Sequence, residues 1–301
     1  MSSAFPKGSA WINNEFVDIS EAQISILDWG LLRSDATYDV VHVWNNRFFL
    51  LDKHLDRFFE STKKLKMPCK LNKKQLKKIL ATCVKKSGLR NSYVEIIQTR
   101  GMSSSFDRDP RKAIPKLMAF AVPFGWILKP TNFNKGLSAV VTKIQRIPSC
   151  SIDPTIKNYH WLDLISGMYE AYEKKSDVGI LVDQQKNILE GPGFNIFLLN
   201  KGGLVTPKKG VLLGITRSAV VELAKELGLS TKFKKVSLGD LNSSLEVFAT
   251  STAGGVMPIT KINNKKISKG RCGLFTKKLS DLYWSKHLDP NWSCSVNDLL
   301  L

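Results

Sequence analysis

The sequence predicts an α+β fold in two domains, and three observations indicate it. The chain has 301 residues, which is enough for two domains of ordinary size. With 43% hydrophobic and 24% charged residues, its composition is typical of a soluble globular protein. Short apolar runs bounded by turn residues occur together with longer segments of helical periodicity, which indicates a mixture of strands and helices.

The predicted domain boundary is a polar segment that contains Gly125 and Pro130. We expect a small N-terminal α/β domain over residues 1–124, an interdomain linker over residues 125–135 and a larger C-terminal domain over residues 136–301. The turn pairs Asn13-Asn14 and Asn45-Asn46 predict two hairpins in the first domain. Its predicted elements are strands 10–12, 15–17, 37–44 and 47–51, helices 53–66 and 73–87, and strands 93–99 and 117–122.

The second domain is predicted to alternate strands with helices. One helix ends at Gly228, a residue type that favours helix termination. The predicted elements are strand 137–143, helix 161–174, strands 178–183 and 194–199, helix 216–227, strand 245–249 and helix 274–287.

The net charge of +19 raises the question of a polyanion partner. In the segment 73–87, however, the lysines interleave with apolar residues at helical spacing, which places them on the solvent face of a helix. A solvated basic surface that also attracts anionic ligands is therefore the favoured interpretation. We expect neither a specific nucleic-acid partner nor a membrane partner, and a polyanion-binding protein is the alternative.

Metal and disulfide chemistry are not indicated. The five cysteines are widely spaced and contain no C-x-x-C pair, and the four histidines show no metal-binding spacing. The first seven residues lack the apolar core of a signal peptide. These observations predict a cytoplasmic protein with reduced thiols and no metal site.

The ordered set of Lys157, Glu190 and Gly214–Arg217 carries the functional prediction. A lysine amine can hold an aldehyde as a Schiff base, a carboxylate can pair with a pyridine nitrogen, and a helix N-terminus can bind a phosphate. Together they suggest a pyridoxal 5'-phosphate (PLP) site, with the C-terminal domain as the PLP-binding domain. Separately, Glu190 is also consistent with an exposed turn carboxylate, and Thr216 with an ordinary helix start.

Two further segments are candidates for the phosphate. Arg57 lies on the first predicted helix, where it is either one half of a surface ion pair or a bidentate phosphate ligand. The stretch 248–255 places hydroxyls and glycines after a strand. It is either an ordinary polar loop or a second set of phosphate-binding N–H groups.

Several motifs resemble the fold-type IV PLP enzymes, the class IV aminotransferases, over nearly the whole chain. The resemblance is strongest to the (R)-selective amine transaminases and D-amino-acid transaminases, and it implies a D-amino-acid aminotransferase-like fold. The motifs are Lys7-Gly8-Ser9-Ala10-Trp11, Ser34-Asp35-Ala36-Thr37-Tyr38-Asp39-Val40, Asp153-Pro154-Thr155-Ile156-Lys157-Asn158, Glu190-Gly191-Pro192-Gly193-Phe194-Asn195, Gly210-Val211-Leu212-Leu213-Gly214-Ile215-Thr216-Arg217 and Thr252-Ala253-Gly254-Gly255-Val256-Met257-Pro258-Ile259-Thr260.

The resemblance implies that Lys157 forms the Schiff base and moves the proton, and that Glu190 faces the pyridine nitrogen. It also implies a homodimer with the site between the two domains, closed by loops of the partner subunit. The implied cofactor-binding residues are Arg57, Lys157, Glu190, Asn195, Ile215, Thr216, Ser251 and Thr252. The implied substrate-pocket residues are Tyr38, Val40 and Trp161.

The chain departs from the family pattern where the substrate carboxylate is bound. The family's mobile arginine aligns with Phe106, so Arg108 and Arg33 are the candidates to replace it, with Arg100 expected to support the loop. We expect transfer of an amino group between an (R)-amine or D-amino acid and a keto acid such as pyruvate. The alternatives are a branched-chain L-amino-acid transaminase and an enzyme resembling 4-amino-4-deoxychorismate lyase.

Overall fold

The computed structural model describes residues 5–301 and divides the chain into two compact units. The first unit comprises the chain up to Gly125 together with Ile156–His160 and His287–Leu301. The second comprises Trp126–Thr155 and Trp161–Lys286. The short segment that contains Lys157 therefore packs within the first unit, although the expected C-terminal domain over 136–301 included it.

The described residues form sixteen β-strands and seven α-helices. The strands are β1 (Ser9–Ile12), β2 (Glu15–Asp18), β3 (Ala36–Trp44), β4 (Arg47–Phe49), β5 (Ser92–Met102), β6 (Ile114–Pro123), β7 (Leu137–Gln145), β8 (Val178–Val182), β9 (Glu190–Gly191), β10 (Phe194–Asn200), β11 (Gly203–Pro207), β12 (Thr231–Lys234), β13 (Glu246–Ser251), β14 (Gly255–Ile262), β15 (Lys265–Lys266) and β16 (Ser293–Ser295). The helices are α1 (Trp29–Arg33), α2 (Leu51–Lys64), α3 (Lys73–Ser87), α4 (Leu162–Glu173), α5 (Ile215–Glu226), α6 (Leu238–Asn242) and α7 (Leu274–Ser285).

The first unit is built on an antiparallel sheet of seven strands in the order β16-β4-β3-β5-β6-β1-β2. Both predicted Asn-Asn hairpins are present, between β1 and β2 and between β3 and β4. Apolar side chains of the sheet pack against α2 and α3 to form the core, which includes Val43, Leu55, Phe58, Leu80 and Val94. Strand β3 lies inside this sheet and carries Tyr38 and Asp39.

Local signals fix the helices of this unit. The Asn72 side chain accepts from the Gln75 N–H and the Gln75 side chain accepts from the Asn72 N–H, so α3 begins with a capping box. It ends where Gly88 adopts the left-handed conformation, at φ 63°. Helix α2 begins at Leu51, so the strand predicted over 47–51 is too long and ends at Phe49.

The second unit is built on a nine-stranded sheet that closes on itself. Its main order is β12-β11-β10-β13-β14-β7-β8, with β9 paired to β10 and β15 paired to β14. The pairs β11–β12, β14–β7 and β7–β8 are parallel, and the other pairs are antiparallel. Ile188 bridges the two edges, because it pairs with Val182 at the end of β8 and with Val236 just after β12.

Alternate residues of these strands fill the inside of the closed sheet. Ile196, Leu198, Ala249, Met257 and Ile259 belong to this core and are almost fully buried. The period of two is the one expected for strands with one face in an apolar core. Helices α5 and α7 contact β13 and β14, and α4 contacts β7 and β8.

Strands β11, β12 and β14 are not predicted by the sequence patterns. Strand β12 reads Thr-Lys-Phe-Lys and lies at the end of the sheet order, where exposed lysines are tolerated. Strand β14 contains Pro258, a residue type that argues against a central strand. Tertiary pairing with β13 and β7 overrides that local signal.

None of the helices in residues 5–301 combines the length and the apolar character that crossing a bilayer requires. The same residues contain no cluster of three or more histidine, cysteine, aspartate or glutamate side chains arranged to hold a metal ion.

Candidate active site

The backbone of Lys157 is fixed to strand β3. The Lys157 carbonyl accepts one hydrogen bond from the Tyr38 N–H at 3.1 Å and another from the Thr37 hydroxyl at 2.7 Å. Thr37 and Asn158 form an antiparallel bridge at the same place. The segment 156–160 thus extends the sheet of the first unit by one short pairing, which holds the lysine against β3.

The Lys157 amine lies over an aromatic ring. Its Nζ is 4.2 Å from the centroid of the Tyr38 ring. The Tyr38 ring is stacked on Tyr159, with centroids 4.4 Å apart and planes inclined by 12°. This contact restricts the position of the amine and places apolar surface beside it.

A buried carboxyl group lies at the edge of this aromatic stack. Glu95, on β5, is 7% exposed and accepts a hydrogen bond from the Tyr159 hydroxyl at 2.5 Å. Burial raises the pKa of Glu95, while the hydrogen bonds from Tyr159 and Tyr93 and the charge of Lys157 oppose that rise. Burial beside this carboxyl also raises the pKa values of Tyr93 and Tyr159, so both hydroxyls stay protonated and act as donors.

Arg57 is engaged by a second buried carboxylate, Asp39. The Arg57 Nε and Nη2 donate to the two Asp39 oxygens at 2.7 and 2.8 Å, and His54 Nδ1 lies 2.8 Å from one of them. Burial alone would raise the Asp39 pKa, but the charge of Arg57 and the His54 hydrogen bond hold it well below its usual range. Burial lowers the pKa of His54, so its neutral ring donates to Asp39 through Nδ1.

In the second unit, Glu190 is buried and surrounded by donors. It lies on β9, paired with Asn195 on β10, as the predicted turn at Gly191–Gly193 requires. One carboxylate oxygen accepts from Arg146, with both atom pairs at 3.2 Å. The other accepts from the Leu212 N–H at 2.9 Å and from Asn195 Nδ2 at 3.2 Å. This set of donors complements a negative charge.

Arg146 links Glu190 to a second acid. Its Nη1 lies 2.5 Å from Asp163 Oδ2, which also accepts from the Ile147 N–H at 2.9 Å. Arg146 therefore lies between two carboxylates and orients both of them. Asn195 has a similar supporting position, because its side-chain amide also donates to the Leu212 carbonyl at 2.9 Å.

The segment predicted to bind the phosphate is the start of α5. Gly214 is the N-cap residue and supplies no side-chain cap, so the first-turn N–H groups receive no acceptor from it. A Cβ at Gly214 would lie 2.3 Å from Asn195 Oδ1, so the close approach of the two segments requires glycine. Thr216 is buried at the first turn of this helix.

The turn between β13 and β14 supplies the other predicted phosphate residues. Ser251 Oγ donates to the Gly193 carbonyl at 2.7 Å and accepts from the Ala253 N–H at 3.1 Å. Ser251 therefore ties this turn to the segment that follows Glu190. Thr252 lies within the turn and is partly exposed.

Each unit, taken by itself, holds groups that fit part of PLP. The first unit presents the lysine amine on an aromatic surface. The second presents a buried carboxylate suited to a pyridinium N–H, and a helix start without a side-chain cap, suited to a phosphate.

The predicted substrate residues are placed differently from one another. Val40 is buried on β3 on the same face as Tyr38, since the two are two residues apart. Trp161 precedes α4, and its ring lies near Gly193. Arg33 is exposed with its guanidinium 3.6 Å from the Trp29 ring centroid, and Arg108 is exposed in the loop after β5.

Arg100 binds the segment before β3 and the segment after α2. Its Nε and Nη2 donate to the Asp35 carboxylate at 2.8 and 3.1 Å, and it also donates to the Leu65 and Lys66 carbonyls. Because these hydrogen bonds engage its donors, Arg100 holds the loop before β3 in place.

Sequence reasoning did not assign roles to Asp39, Glu95, Arg146 or Asp163. For Glu95 a signal existed, because this carboxylate lies between apolar residues, with Val94 before it and Ile96 after it. For Arg146 no local signal distinguishes it from the other basic residues. Its role depends on Glu190, which lies 44 positions further along the chain.

Comparison with known proteins identifies the family. The model of the family described as Amino-transferase class IV matches residues 36–262. A putative branched-chain-amino-acid aminotransferase of Methanocaldococcus jannaschii is 30% identical over 291 residues, 96% of this chain and 99% of that relative. A D-alanine aminotransferase of Listeria monocytogenes is 26% identical and covers 90% of this chain and 93% of its own length. The crystal structure of the Escherichia coli branched-chain amino acid aminotransferase superposes with a TM-score of 0.91 at 24% identity, covering 97% of this chain and 100% of that one.

The chain belongs to the class IV aminotransferases. The α+β fold predicted from the sequence is confirmed, and so is the resemblance to this family. Because class IV aminotransferases use PLP, the predicted cofactor is confirmed as well.

We predict that Asp39→Asn lowers the free energy of unfolding by about 3–5 kcal/mol, because it leaves the Arg57 charge without its buried partner. Urea unfolding monitored by circular dichroism measures the change. The control is Asp56→Asn, which removes the partner of Lys73 at an exposed site and should cost less than about 1 kcal/mol. Equal losses in the two variants would contradict a structural role for the Asp39–Arg57 pair.

We also predict a pH-dependent effect of Glu95→Gln. The Glu95 pKa in the folded state lies above its ordinary value of 4.5, so its contribution to stability is fully present below that pH and is lost as pH rises through the folded value. The variant cannot ionise and should therefore gain stability relative to wild type as pH increases from about 4.5 towards neutral. Urea unfolding of both proteins across this range tests the sign. A relative loss of stability at higher pH would show that Glu95 is not desolvated.

Proposed function

We propose that this class IV aminotransferase moves an amino group between a branched-chain L-amino acid and a 2-keto acid. The observation that carries the proposal is the apolar setting of the Lys157 amine, which lies over Tyr38 with Val40 on the same strand face. An aliphatic side chain suits such a surface. The M. jannaschii relative, named as a branched-chain enzyme, supports the same substrate class over nearly the whole chain. The alternative stated from the sequence thus has more support than the (R)-amine or D-amino-acid prediction.

Lys157 is proposed to bind PLP covalently and, once the incoming amino donor has displaced its amine from the cofactor, to act as base and acid. When bound, PLP supplies an electron sink for the carbon that loses its proton. The Lys157 Nζ would take that proton from the α-carbon of the amino donor and return it to a carbon of the cofactor. Fixing the Lys157 carbonyl on β3 confines the reach of the amine to a small region.

The second unit is proposed to bind the rest of the cofactor. Glu190, held by Arg146 and the Leu212 N–H, accepts from the pyridine nitrogen and favours its protonated form. The first turn of α5 donates its N–H groups to the phosphate, with a contribution from the β13–β14 turn. The residues of this unit proposed for the phosphate are Ile215, Thr216, Ser251 and Thr252, and Arg57 of the first unit is proposed as a further phosphate ligand.

A second candidate is transfer from an amine that lacks an α-carboxylate, such as an (R)-amine. The observation that favours it is the buried acid Glu95, whose carboxyl interacts electrostatically with Lys157 and with a second buried acid, Asp39. Asp39 already engages Arg57, and Arg100 is bound to Asp35. Binding of a substrate carboxylate, including that of a D-amino acid, would then depend on Arg33 or Arg108. The Listeria relative is named as a D-alanine aminotransferase. The predicted homodimer and cytoplasmic location remain proposals.

A comparison of amino donors tests the proposal. Purified protein saturated with PLP is mixed with L-leucine, D-alanine or (R)-1-phenylethylamine in the absence of an acceptor, and the loss of the PLP absorption band is followed. We expect L-leucine to react fastest, because the Tyr38 and Val40 surface accepts its side chain. Transfer to 2-oxoglutarate should then regenerate the band.

Faster conversion by (R)-1-phenylethylamine would replace the main proposal with the second candidate. If D-alanine reacts fastest, Arg33→Ala and Arg108→Ala should separate the two possible carboxylate ligands. Each is exposed, so neither variant should alter folding. No reaction with any of the three donors would contradict both candidates.

A further inference from the structure

A half-open cavity of about 420 Å³ lies in the second unit, where its sheet closes on itself. Four strands end at this cavity. Arg146 directly follows β7, Asp183 follows β8, Lys208 follows β11 and Lys235 follows β12, and all four residues line it. Ile188, which bridges the two edges of the sheet, also lines the cavity.

The strand directions explain why these residues meet. Strands β11 and β12 are parallel, with Pro207 opposite Lys234, and β7 and β8 are parallel as well. Parallel neighbours bring their carboxyl ends to the same edge of a sheet. In sheets of this kind, the loops beyond the carboxyl ends are the usual place for a ligand.

The lining is strongly basic. Its positively charged residues are Arg146, Lys208, Lys209, Lys234 and Lys235. Asp183 is the carboxylate among the lining residues, and its oxygens accept hydrogen bonds within its own turn, from the N–H groups of Gln185 and Asn187 and from the Asn187 side chain. It therefore stabilises the turn and does not pair with the lysines.

Part of this positive charge is compensated by other residues. Lys234 pairs with Asp240 at 2.6 Å, and Arg146 pairs with Asp163 and Glu190. Within residues 5–301, Lys208, Lys209 and Lys235 form no ion pair. Three like charges are thus held around one concave surface, where an anion would relieve their mutual repulsion.

We propose that this cavity binds a small polyanion that carries two or more carboxylate or phosphate groups. Its volume is within the range of small-molecule sites, about 300–1,000 Å³. Lys208 and Lys235 would each contact one anionic group through charge-assisted hydrogen bonds. None of Thr216, Ser251 and Thr252 lines the cavity, so the ligand would be distinct from the phosphate of the cofactor.

Isothermal titration calorimetry of the PLP-saturated protein tests the proposal, with pyrophosphate and citrate as separate probes. The salt concentration is set near 0.15 M, where interactions between exposed charges beyond about 8 Å are largely screened. We expect saturable binding of at least one probe, and binding at least about tenfold weaker in Lys208→Gln/Lys235→Gln. The choice between the probes separates a phosphate ligand from a carboxylate ligand.

The matched control is Lys201→Gln/Lys232→Gln, which removes the same charge from the β10–β11 turn and from β12, outside the lining. It should bind the probes as wild type does. If the two double variants bind the probes equally weakly, the loss of affinity comes from the lower net charge and the proposal is overturned. The absence of saturable binding to the wild-type protein would also overturn it.

Release of PLP during the titration would show that the probe occupies the cofactor phosphate site, which also overturns the proposal. The readout is heat and not turnover, so it is independent of the proposed substrate. All four lysines are exposed, and circular dichroism of each variant checks that the fold is intact.

Discussion

The hydrogen bonds to the Lys157 carbonyl are the interaction on which the proposed chemistry depends. A lysine side chain has four rotatable bonds, so its amine is useful only if its backbone is held firmly. Here the Tyr38 N–H and the Thr37 hydroxyl both donate to that carbonyl. Strand β3 therefore fixes the backbone of Lys157, although 120 positions separate Thr37 from Lys157.

The same strand also organises the charges around the lysine. Tyr38 points its ring at the amine, and the next residue, Asp39, binds Arg57 and His54. Because successive side chains of a strand alternate between its faces, one strand can serve both purposes. Buried carboxylates in this chain are stabilised by different partners, tyrosine hydroxyls at Glu95 and an arginine at Asp39 and Glu190.

Much of the fold and part of the candidate site could be predicted from the sequence. The Asn-Asn turns located two hairpins, and Gly88 located the end of α3. Lys157, Glu190 and Gly214 could be proposed from the sequence because each lies in a motif with a recognisable turn or helix start. The membership of Lys157 in the first unit could not be read in this way, because local patterns do not show which sheet a five-residue segment joins.

Local sequence patterns also do not predict the residues that orient the candidate site side chains. In the sequence, nothing distinguishes Arg146 from the other arginines of this basic chain. Its contact with Glu190 depends on the closed sheet, which brings the two residues together. Strand β14 was hidden by Pro258, which pairs with Phe248 on β13, while the pairing with β7 begins at the next residue, Ile259. For the exposed arginines, in contrast, the sequence suggests a role. Arg33 and Arg108 suit a substrate carboxylate by residue type, but type alone does not give their positions during turnover.

The central claim is that β3 positions Lys157 as the amine that binds PLP. The most direct measurement is reduction of the PLP-loaded protein with borohydride, followed by proteolysis and mass spectrometry of the phosphopyridoxyl-labelled peptide. We predict that the label is on Lys157, with the other lysines unmodified. A label on any other lysine, in protein that retains activity, would contradict the account.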